Sequence, residues 1–222
     1  MRWPEGRSVL RGRSACDACG RTLAARDLVP LASAIAARGR CRTCGTAIDS
    51  RHWQIEAAAL LIGIAAGLAA PWPWAAAGAG FGWLLLALAA LDIAAFWLPD
   101  RLTGTLALTG LGAGWLGVPP ALPDRLIGGV AGFGALWLIA RGYRVLRGRE
   151  GLGGGDPKLL GAIGMWLGWA LLAFVVLIAS AAGLAALLVA RRRIAADTRL
   201  PFGALLAVGA YPLWLLTIGW AT

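Results

Sequence analysis

The sequence has few charged residues: Asp, Glu, Lys and Arg make up only 14% of its 222 residues, whereas 59% are hydrophobic. A soluble domain usually carries about 25% charged and about 45–50% apolar residues. This shortage of charge excludes a single ordinary soluble globule. Long apolar runs, interrupted by glycine and proline, instead predict an all-α integral membrane protein with several spanning helices.

The sequence also lacks the features of a nucleic-acid-binding protein, although its formal net charge is +10. The basic residues lie in short segments between apolar runs, which is how signals of membrane topology are distributed. No helix-turn-helix, zinc-finger or RNA-recognition pattern accompanies them. We therefore expect a membrane-lipid environment and no nucleic-acid partner.

The N-terminus lacks the apolar core of a signal peptide, because residues 1–10 are polar and basic. We predict that residues 1–53 form a cytoplasmic domain and that residues 54–222 form a transmembrane domain. The second domain is predicted to contain about seven helices, the fifth and sixth being either two short spans or one kinked element. Their expected ranges are 54–71, 75–98, 102–118, 125–141, 158–171, 173–190 and 202–221.

The distribution of basic residues supports this topology. With the N-terminus in the cytoplasm, Arg125 is the only basic residue that falls on the external side; the runs within 141–158 and 191–199 fall on the cytoplasmic side. The two external turns, residues 71–74 and 118–123, are rich in proline and contain no basic residue. The pattern therefore predicts a multi-pass protein with a cytoplasmic N-terminus.

All four cysteines lie in two matched pairs, Cys16 with Cys19 and Cys41 with Cys44. Two C-x-x-C knuckles about 20 residues apart are typical of a tetrathiolate zinc site. The reducing cytosol favours metal binding over structural disulfides. We predict a structural Zn²⁺ site, because four thiolates leave no open coordination position. A redox pair or unrelated buried thiols are the alternatives.

The residues around the two knuckles suit a metal site. Gly20 and Gly45 directly follow the knuckles, where a left-handed turn residue is useful. The only histidine, His52, precedes the first apolar run and is expected to be an interfacial residue and no ligand. Neighbouring arginines would offset the negative charge of four thiolates: Arg21, Arg40 and Arg42.

Two acidic residues are candidate catalytic groups. Asp92 lies inside an apolar helix, where a carboxylate costs about 2.5–3.5 kcal/mol on insertion scales and usually serves a function. Asp156 ends a glycine-rich stretch whose missing Cβ atoms would let an extended substrate approach closely. A structural role remains open for each: a helix-packing hydrogen bond for Asp92, and an N-cap before Pro157 for Asp156. For Asp100 the N-cap role is favoured.

The two candidate acids form a stronger signal together than either does alone. The predicted topology places Asp92 and Asp156 at the cytoplasmic face, where they could meet across the bundle. Two close carboxyl groups cannot both ionise easily and therefore share a proton, so one can activate water while the other protonates a scissile carbonyl. This is the aspartic-protease mechanism. A Ser–His or Cys–His mechanism is not supported, because His52 is far from any nucleophile.

The sequence resembles the prepilin leader peptidase family, the GxGD-type membrane aspartic proteases that include type IV prepilin peptidase/N-methyltransferases. The likeness covers nearly the whole chain and begins with the double cysteine knuckle. It continues in five segments: SRHWQIE at 50–56, LPDRLT at 98–103, GREGLGGGDPKLL at 148–160, GMWLGW at 164–169 and PFGA at 201–204. Together these motifs are highly specific.

The resemblance implies a peptidase of the bacterial inner membrane, with Asp92 and Asp156 as its catalytic pair. Its substrates would be type IV prepilins or type II secretion pseudopilins, cut after the glycine that ends a short basic leader and precedes an apolar helix. Many family members also methylate the new N-terminus with S-adenosylmethionine, a function associated with the cysteine-bearing domain. A proton-coupled transporter and a non-catalytic assembly factor are the alternatives.

The sequence departs from the family pattern in two places. Family members typically begin with a further transmembrane helix, whereas Met1 lies just before the cysteine domain. A misplaced start codon or a shortened subfamily would each account for this difference. Residues 26–30 follow the family only loosely, so methylation is a weaker expectation than proteolysis.

Overall fold

The protein is almost entirely helical in the computed structural model, which describes residues 13–189 and 200–221. Within these ranges the only β-structure is two isolated bridges, so the predicted all-α class is confirmed. The basic run at residues 191–199, which contributed to the predicted topology, lies outside the described residues.

Eight α-helices and one short 3₁₀ helix, Ala25–Asp27, make up the described chain. The seven predicted helices correspond to α2 through α8, and the segment between residues 158 and 190 forms two separate helices. The α-helices are α1 (Ala32–Ala36), α2 (Ser50–Ala69), α3 (Trp74–Ala95), α4 (Asp100–Trp115), α5 (Leu122–Arg147), α6 (Asp156–Leu167), α7 (Leu172–Val189) and α8 (Phe202–Ala221).

Five of the described helices, α2, α3, α5, α7 and α8, are long and apolar enough to cross a membrane, judged by length and composition. Helices α4 and α6 have 16 and 12 residues. At about 1.5 Å per residue they extend about 24 and 18 Å, less than the hydrocarbon core of about 30 Å. The predicted count of seven spanning helices is therefore not confirmed, although the apolar helices indicate a multi-pass membrane protein.

The chain divides into two compact units, the first ending at Leu61 and the second beginning at Ile62. In the first unit, the backbone N–H of Leu31 donates to Glu56 Oε2 at 2.8 Å and joins the start of α1 to α2. The predicted domain boundary between residues 53 and 54 stays a prediction.

Helix α6 is the most buried helix of the second unit, with ten of its twelve residues buried. It packs against α4, α5 and α8. Its approach to α5 depends on glycine: a Cβ added to Gly164 would lie 2.2 Å from the carbonyl oxygen of Gly128, and one added to Gly132 would lie 2.7 Å from that of Leu160. Small residues permit such close approach between membrane helices, whose association depends on van der Waals packing.

Aromatic side chains join α6 to its other neighbours. The ring of Trp166 stacks on Phe81 of α3 with centroids 4.6 Å apart, and Trp166 Nε1 donates to the carbonyl of Leu106 on α4 at 2.8 Å. Trp214 of α8 lies over Gly78 of α3, where a Cβ would lie 1.9 Å from its ring. The two contacts of Trp166 fix α6 against α3 and α4, so the first residue of α6, Asp156, has a defined position.

Arg125 of α5 is completely buried, and no ion pair involves it among the described residues. Its guanidinium instead donates to backbone carbonyl groups at 2.7–2.9 Å, which satisfies a buried cation without an acid. These carbonyls belong to α4, α6 and the turn before α5. The side chain therefore holds the C-terminal end of α6, whereas Asp156 lies at the N-terminal end of that helix. The carbonyls are those of Gly110, Val118, Pro119, Pro120 and Met165.

We predict that Arg125→Met lowers the free energy of unfolding by at least about 3 kcal/mol, because hydrogen bonds to a buried charged group are each worth about 1.5–3 kcal/mol. The thermal unfolding midpoint in detergent measures the change. Arg125→Lys should have an intermediate effect, since an ammonium group has three donors rather than five. Arg101→Met, at an exposed arginine of α4, is the matched control; an equally stable Arg125→Met protein would contradict this role.

Candidate active site

Asp92 lies near the C-terminal end of α3 and is only 5% exposed. Its Oδ2 accepts a hydrogen bond from the backbone N–H of Ala204 at 2.9 Å. Gly203 makes the approach possible, because a Cβ there would lie 3.0 Å from the same oxygen. Both residues belong to the first turn of α8, where the helix dipole favours a negative charge. The carboxylate is therefore held by the start of α8.

Asp156 is the first residue of α6 and is also 5% exposed. Its Oδ2 accepts a hydrogen bond from the backbone N–H of Gly153 at 3.0 Å, within the glycine-rich loop. Gly155 occupies the N-cap position of α6, and no side chain caps the helix. The N-cap alternative for Asp156 is therefore wrong, because its carboxylate binds the loop rather than the free N–H groups of the helix.

Asp100 is also not the N-cap that the sequence predicted. Pro99 holds that position in α4, and Asp100 is the first helical residue. Its Oδ1 accepts a hydrogen bond from Lys158 Nζ at 2.6 Å, which links α4 to α6. The side chain thus binds a neighbouring helix instead of its own backbone.

The structure places Asp92 and Asp156 within electrostatic range of each other, in segments that meet at one residue. Leu98 lies between the segments that carry their contacts. A Cβ added to Gly155 would lie 2.7 Å from Leu98 Cβ, and one added to Gly203 would lie 2.9 Å from Leu98 Cδ1. The end of α3 and the starts of α6 and α8 therefore converge on one site, while its catalytic role stays a prediction.

Two residues of this site, Leu98 and Gly203, were not recognised in the sequence, and Gly155 was noted only as part of the glycine-rich stretch before Asp156. Each nevertheless falls in a segment that carried the family resemblance, at 98–103, 148–160 and 201–204. The motifs marked these segments, but only the fold shows that a leucine from one is packed between glycines from the other two. Substituting either glycine would push apart the helices that carry the acids.

The glycine-rich loop between α5 and α6 is held at its α5 end and open near Asp156. The ring of Tyr143 lies against Gly151, where a Cβ would be 2.6 Å from it, and Arg144 Nη2 binds Glu150 Oε1 at 2.8 Å. Further along, Gly154 is exposed and a Cβ there would meet nothing within 4 Å. The exposed backbone beside the acid leaves room for an extended peptide.

The four cysteines form a second cluster, in the first unit. Their Sγ atoms all lie within 4.8 Å of one another, so they could hold a metal ion. Cys16 Sγ and Cys44 Sγ are 3.9 Å apart, close to the edge of about 3.8 Å of a tetrahedron with metal–sulfur bonds of about 2.3 Å. The donor set and its spacing therefore fit one tetrahedrally coordinated ion.

The two knuckles share one backbone geometry. In each, the N–H of the following glycine donates to the carbonyl of the first cysteine at 2.9 Å, from Gly20 to Cys16 and from Gly45 to Cys41. Both glycines have positive φ angles, +69° and +70°, so the predicted left-handed turns are confirmed. Each turn thereby directs two thiols to one side.

The thiols do not ionise independently. The hydroxyl and backbone of Thr46 lower the pKa of Cys44 to about 6, with Thr46 Oγ1 3.3 Å from the sulfur. The backbone of Arg21 has the same effect on Cys19, but desolvation and the three neighbouring thiols outweigh it and raise the pKa of Cys19 to about 11. A bound cation would favour ionisation of all four sulfurs.

Asp27 joins the two knuckles from the segment between them. Its carboxylate forms ion pairs with Arg21 beside the first knuckle and with Arg42 Nε inside the second, the latter at 3.2 Å. Arg21 Nη1 also donates to Thr43 Oγ1 at 2.8 Å. Two of the arginines expected to offset the charge of the thiolates are thus partly engaged by an acid that the sequence analysis did not identify.

Comparison with known proteins shows which family the chain resembles. Residues 79–188 match the Type IV leader peptidase family, and residues 1–70 match the Bacterial Peptidase A24 N-terminal domain. No match was found among the solved structures. The chain belongs to the type IV leader peptidase family, a conclusion that its similarity over most of the length of two relatives also supports.

Three relatives are each named "Prepilin leader peptidase/N-methyltransferase". The protein of Burkholderia pseudomallei (strain 1026b) is 47% identical over 89% of this chain, which spans 65% of that relative's length. The protein of Dickeya chrysanthemi is 42% identical over 97% of this chain, which spans 80% of that relative's length. The protein of Pectobacterium carotovorum subsp. carotovorum is 37% identical over 88% of this chain, which spans 71% of that relative's length.

We predict that Gly155→Ala lowers the free energy of unfolding by about 1–3 kcal/mol, because its methyl group would overpack the Leu98 side chain. Thermal midpoints in detergent measure the loss. The control is Gly154→Ala, one residue earlier in the loop, where a methyl group meets nothing within 4 Å. Equal midpoints for the two variants would show that Leu98 does not constrain the start of α6.

Proposed function

We propose that the chain is a membrane aspartic peptidase that removes the leader from type IV prepilins or type II secretion pseudopilins, with Asp92 and Asp156 as its catalytic pair. The observation that carries the proposal is the convergence on Leu98 of the two segments, distant in sequence, that hold these buried carboxyl groups. Family membership and the names of the relatives agree with it. The cut would follow the glycine that ends a short basic leader.

The geometry suits shared-proton chemistry. One oxygen of Asp92 is held by the N–H of Ala204, and one oxygen of Asp156 by the N–H of Gly153. Each carboxyl group is thereby oriented by backbone that does not titrate. One of the two removes a proton from the attacking water, and the other, protonated, donates to the scissile carbonyl oxygen. The products are a leader carboxylate and the free amine of the mature pilin.

The pairing of the acids favours a peptidase over the two alternatives. A proton-coupled transporter would account for Asp92 inside its helix but would not need Asp156 or the glycine loop beside it. A non-catalytic assembly factor would not need to retain both acids. Because both carboxyl groups are buried and exposed loop backbone lies beside Asp156, the peptidase accounts for more of the site.

We predict that Asp92→Asn and Asp156→Asn each lower prepilin cleavage at least about 100-fold, since neither amide can exchange the proton that the dyad must move. Membranes carrying each variant are incubated with a prepilin and S-adenosylmethionine, and mass spectrometry of the pilin reports both cleavage and N-methylation. The control is Asp124→Asn, an acid at the start of α5 that binds Trp169.

Cleavage that persists in either dyad variant would remove that acid from the mechanism. Absence of cleavage by the wild-type protein would favour the transporter or the assembly factor. A cleaved product without the added methyl group would refute the methyltransferase part of the proposal alone.

The cysteine cluster is proposed to hold one structural Zn²⁺. Cys16, Cys19, Cys41 and Cys44 would supply four thiolates, and the closed coordination shell would link the two knuckles without taking part in the reaction. The name of the relatives adds an N-methyltransferase activity that uses S-adenosylmethionine as methyl donor, and we assign no residues to it. We place the protein in the bacterial inner membrane with its N-terminus in the cytoplasm.

We predict one zinc per chain in the purified protein, lost on Cys16→Ser because a hydroxyl is a poor replacement for a thiolate ligand. Elemental analysis after exhaustive dialysis measures the metal. Asp17→Asn, an acid inside the first knuckle but outside the cluster, should retain the zinc. Purified wild-type protein free of metal would refute the site, and a different metal in equal amount would correct its identity.

A further inference from the structure

The first unit contains an apolar segment that its own fold leaves exposed, residues 28–37, with the sequence LVPLASAIAA. The segment carries no charge, and Ser33 has its only polar side chain. Three of its large hydrophobic side chains are exposed: Leu28 at 53%, Val29 at 49% and Ile35 at 78%. Exposed apolar patches of this kind mark sites of contact with a protein or a membrane.

The apolar segment is attached to α2 at the level where that helix would enter a membrane. Helix α2 has 20 residues and extends about 30 Å, the thickness of the hydrocarbon core, so its polar first turns lie among the headgroups. Trp53 in those turns suits the membrane interface. The backbone N–H of Leu31 donates to Glu56, three residues further along α2. The segment is therefore held at the depth of the lipid headgroups.

The backbone of the apolar segment is suited to surroundings with little water. Unsatisfied backbone N–H groups are strongly disfavoured in lipid. Pro30 has no N–H group, and six other residues of the segment donate theirs to acceptors within the first unit at 2.6–3.1 Å. These six are Leu28, Leu31, Ala32, Ser33, Ile35 and Ala37.

Positive charge flanks the apolar segment, and the nearest negative charge is engaged elsewhere. Arg26 and Arg38 are both exposed, and they lie on either side of the segment in the sequence. The nearest acid, Asp27, has a side chain only 9% exposed and pairs with Arg21 and Arg42. Apolar side chains between basic residues are typical of segments that lie on a membrane surface, where arginine attracts anionic lipid.

We propose that the apolar segment anchors the cysteine-bearing unit to the membrane surface. Its three exposed side chains insert among the headgroups of the leaflet on the N-terminal side of α2, and the two flanking arginines bind anionic headgroups there. The partner is lipid, because the contact of Leu31 with Glu56 holds the segment beside a helix that itself enters the bilayer. The inference does not use the proposed catalytic dyad.

The anchor would place the cysteine pairs at the membrane surface. Asp27, which directly precedes the apolar segment, pairs with Arg21 beside the first knuckle and with Arg42 inside the second. Insertion of the segment therefore fixes both knuckles at one depth.

The test of insertion is fluorescence quenching by lipid. A fluorescent noncanonical amino acid, excited where tryptophan does not absorb, replaces Ile35 in the full chain, in phosphatidylcholine and phosphatidylglycerol vesicles that contain nitroxide-labelled lipid. The control is the same replacement of Ile48, which is 46% exposed in the same unit and precedes α2. Because an interfacial apolar face lies about 5–10 Å deep, quenching at position 35 should exceed that at position 48 at least about threefold. Val29 provides a second position for the label.

The test of lipid class is removal of charge from the protein labelled at position 35. Arg26→Gln combined with Arg38→Gln should lower quenching at least about twofold in vesicles with phosphatidylglycerol, and raised salt should have the same effect. In vesicles of phosphatidylcholine alone the double variant should match its parent. The matched control, Arg147→Gln with Arg149→Gln, removes the same charge from exposed positions of the second unit.

The outcomes separate lipid from other partners. Equal quenching at positions 35 and 48 would overturn the anchor. Position 35 shielded both from nitroxide lipid and from aqueous iodide would show that protein covers the segment, which also overturns it. Quenching that ignores phosphatidylglycerol and both arginines would overturn the binding of anionic lipid. Failure of the wild-type protein to cleave prepilin would refute the proposed function without affecting the quenching expected at position 35.

Discussion

The close approach of α5 to α6 is the constraint on which the site depends. Helix α6 has only 12 residues, and its position within the bundle comes from packing rather than from spanning length. Gly128 and Gly164 let the two backbones meet, and Arg125 binds carbonyl groups at the far end of α6. Because α6 is fixed along its length, Asp156 at its first residue has a defined place without a side-chain cap.

The same packing sets the arrangement of the acids. Asp92 and Asp156 belong to different helices, and Leu98 between Gly155 and Gly203 determines how closely those segments come together. Burial makes two neighbouring charges unfavourable, which is the condition that the proposed shared proton requires. Packing of apolar side chains therefore decides the electrostatics, and the electrostatics supply the proposed chemistry.

The membrane domain uses small residues in two different ways. Along the α5–α6 contact, glycines face backbone atoms and have no space for a Cβ, so they serve the fold. At the exposed position 104 of α4, by contrast, a Cβ would meet nothing within 4 Å, so the missing side chain of Gly104 does not improve packing within the chain.

The sequence by itself determined the helical membrane class, the cysteine pairs and the two candidate acids. Each of these follows from local chemistry: apolar runs, C-x-x-C spacing, and a carboxylate inside an apolar helix. The sequence favoured an N-cap role for Asp100 and left the same role open for Asp156. A sequence indicates which residue precedes a helix, but it does not indicate which neighbouring groups bind the carboxylate oxygens of that residue.

Only the tertiary structure decided those partners. Lys158 and Gly153 bind the two carboxylates, and both contacts need helices or loops already in place. The predicted number of spanning helices is not confirmed either, since α4 and α6 are shorter than the described helices that are long enough to cross a membrane. Long-range contacts such as those of Leu98 and Asp27 leave no periodic signal in a single sequence, which is why the fold was required to find them.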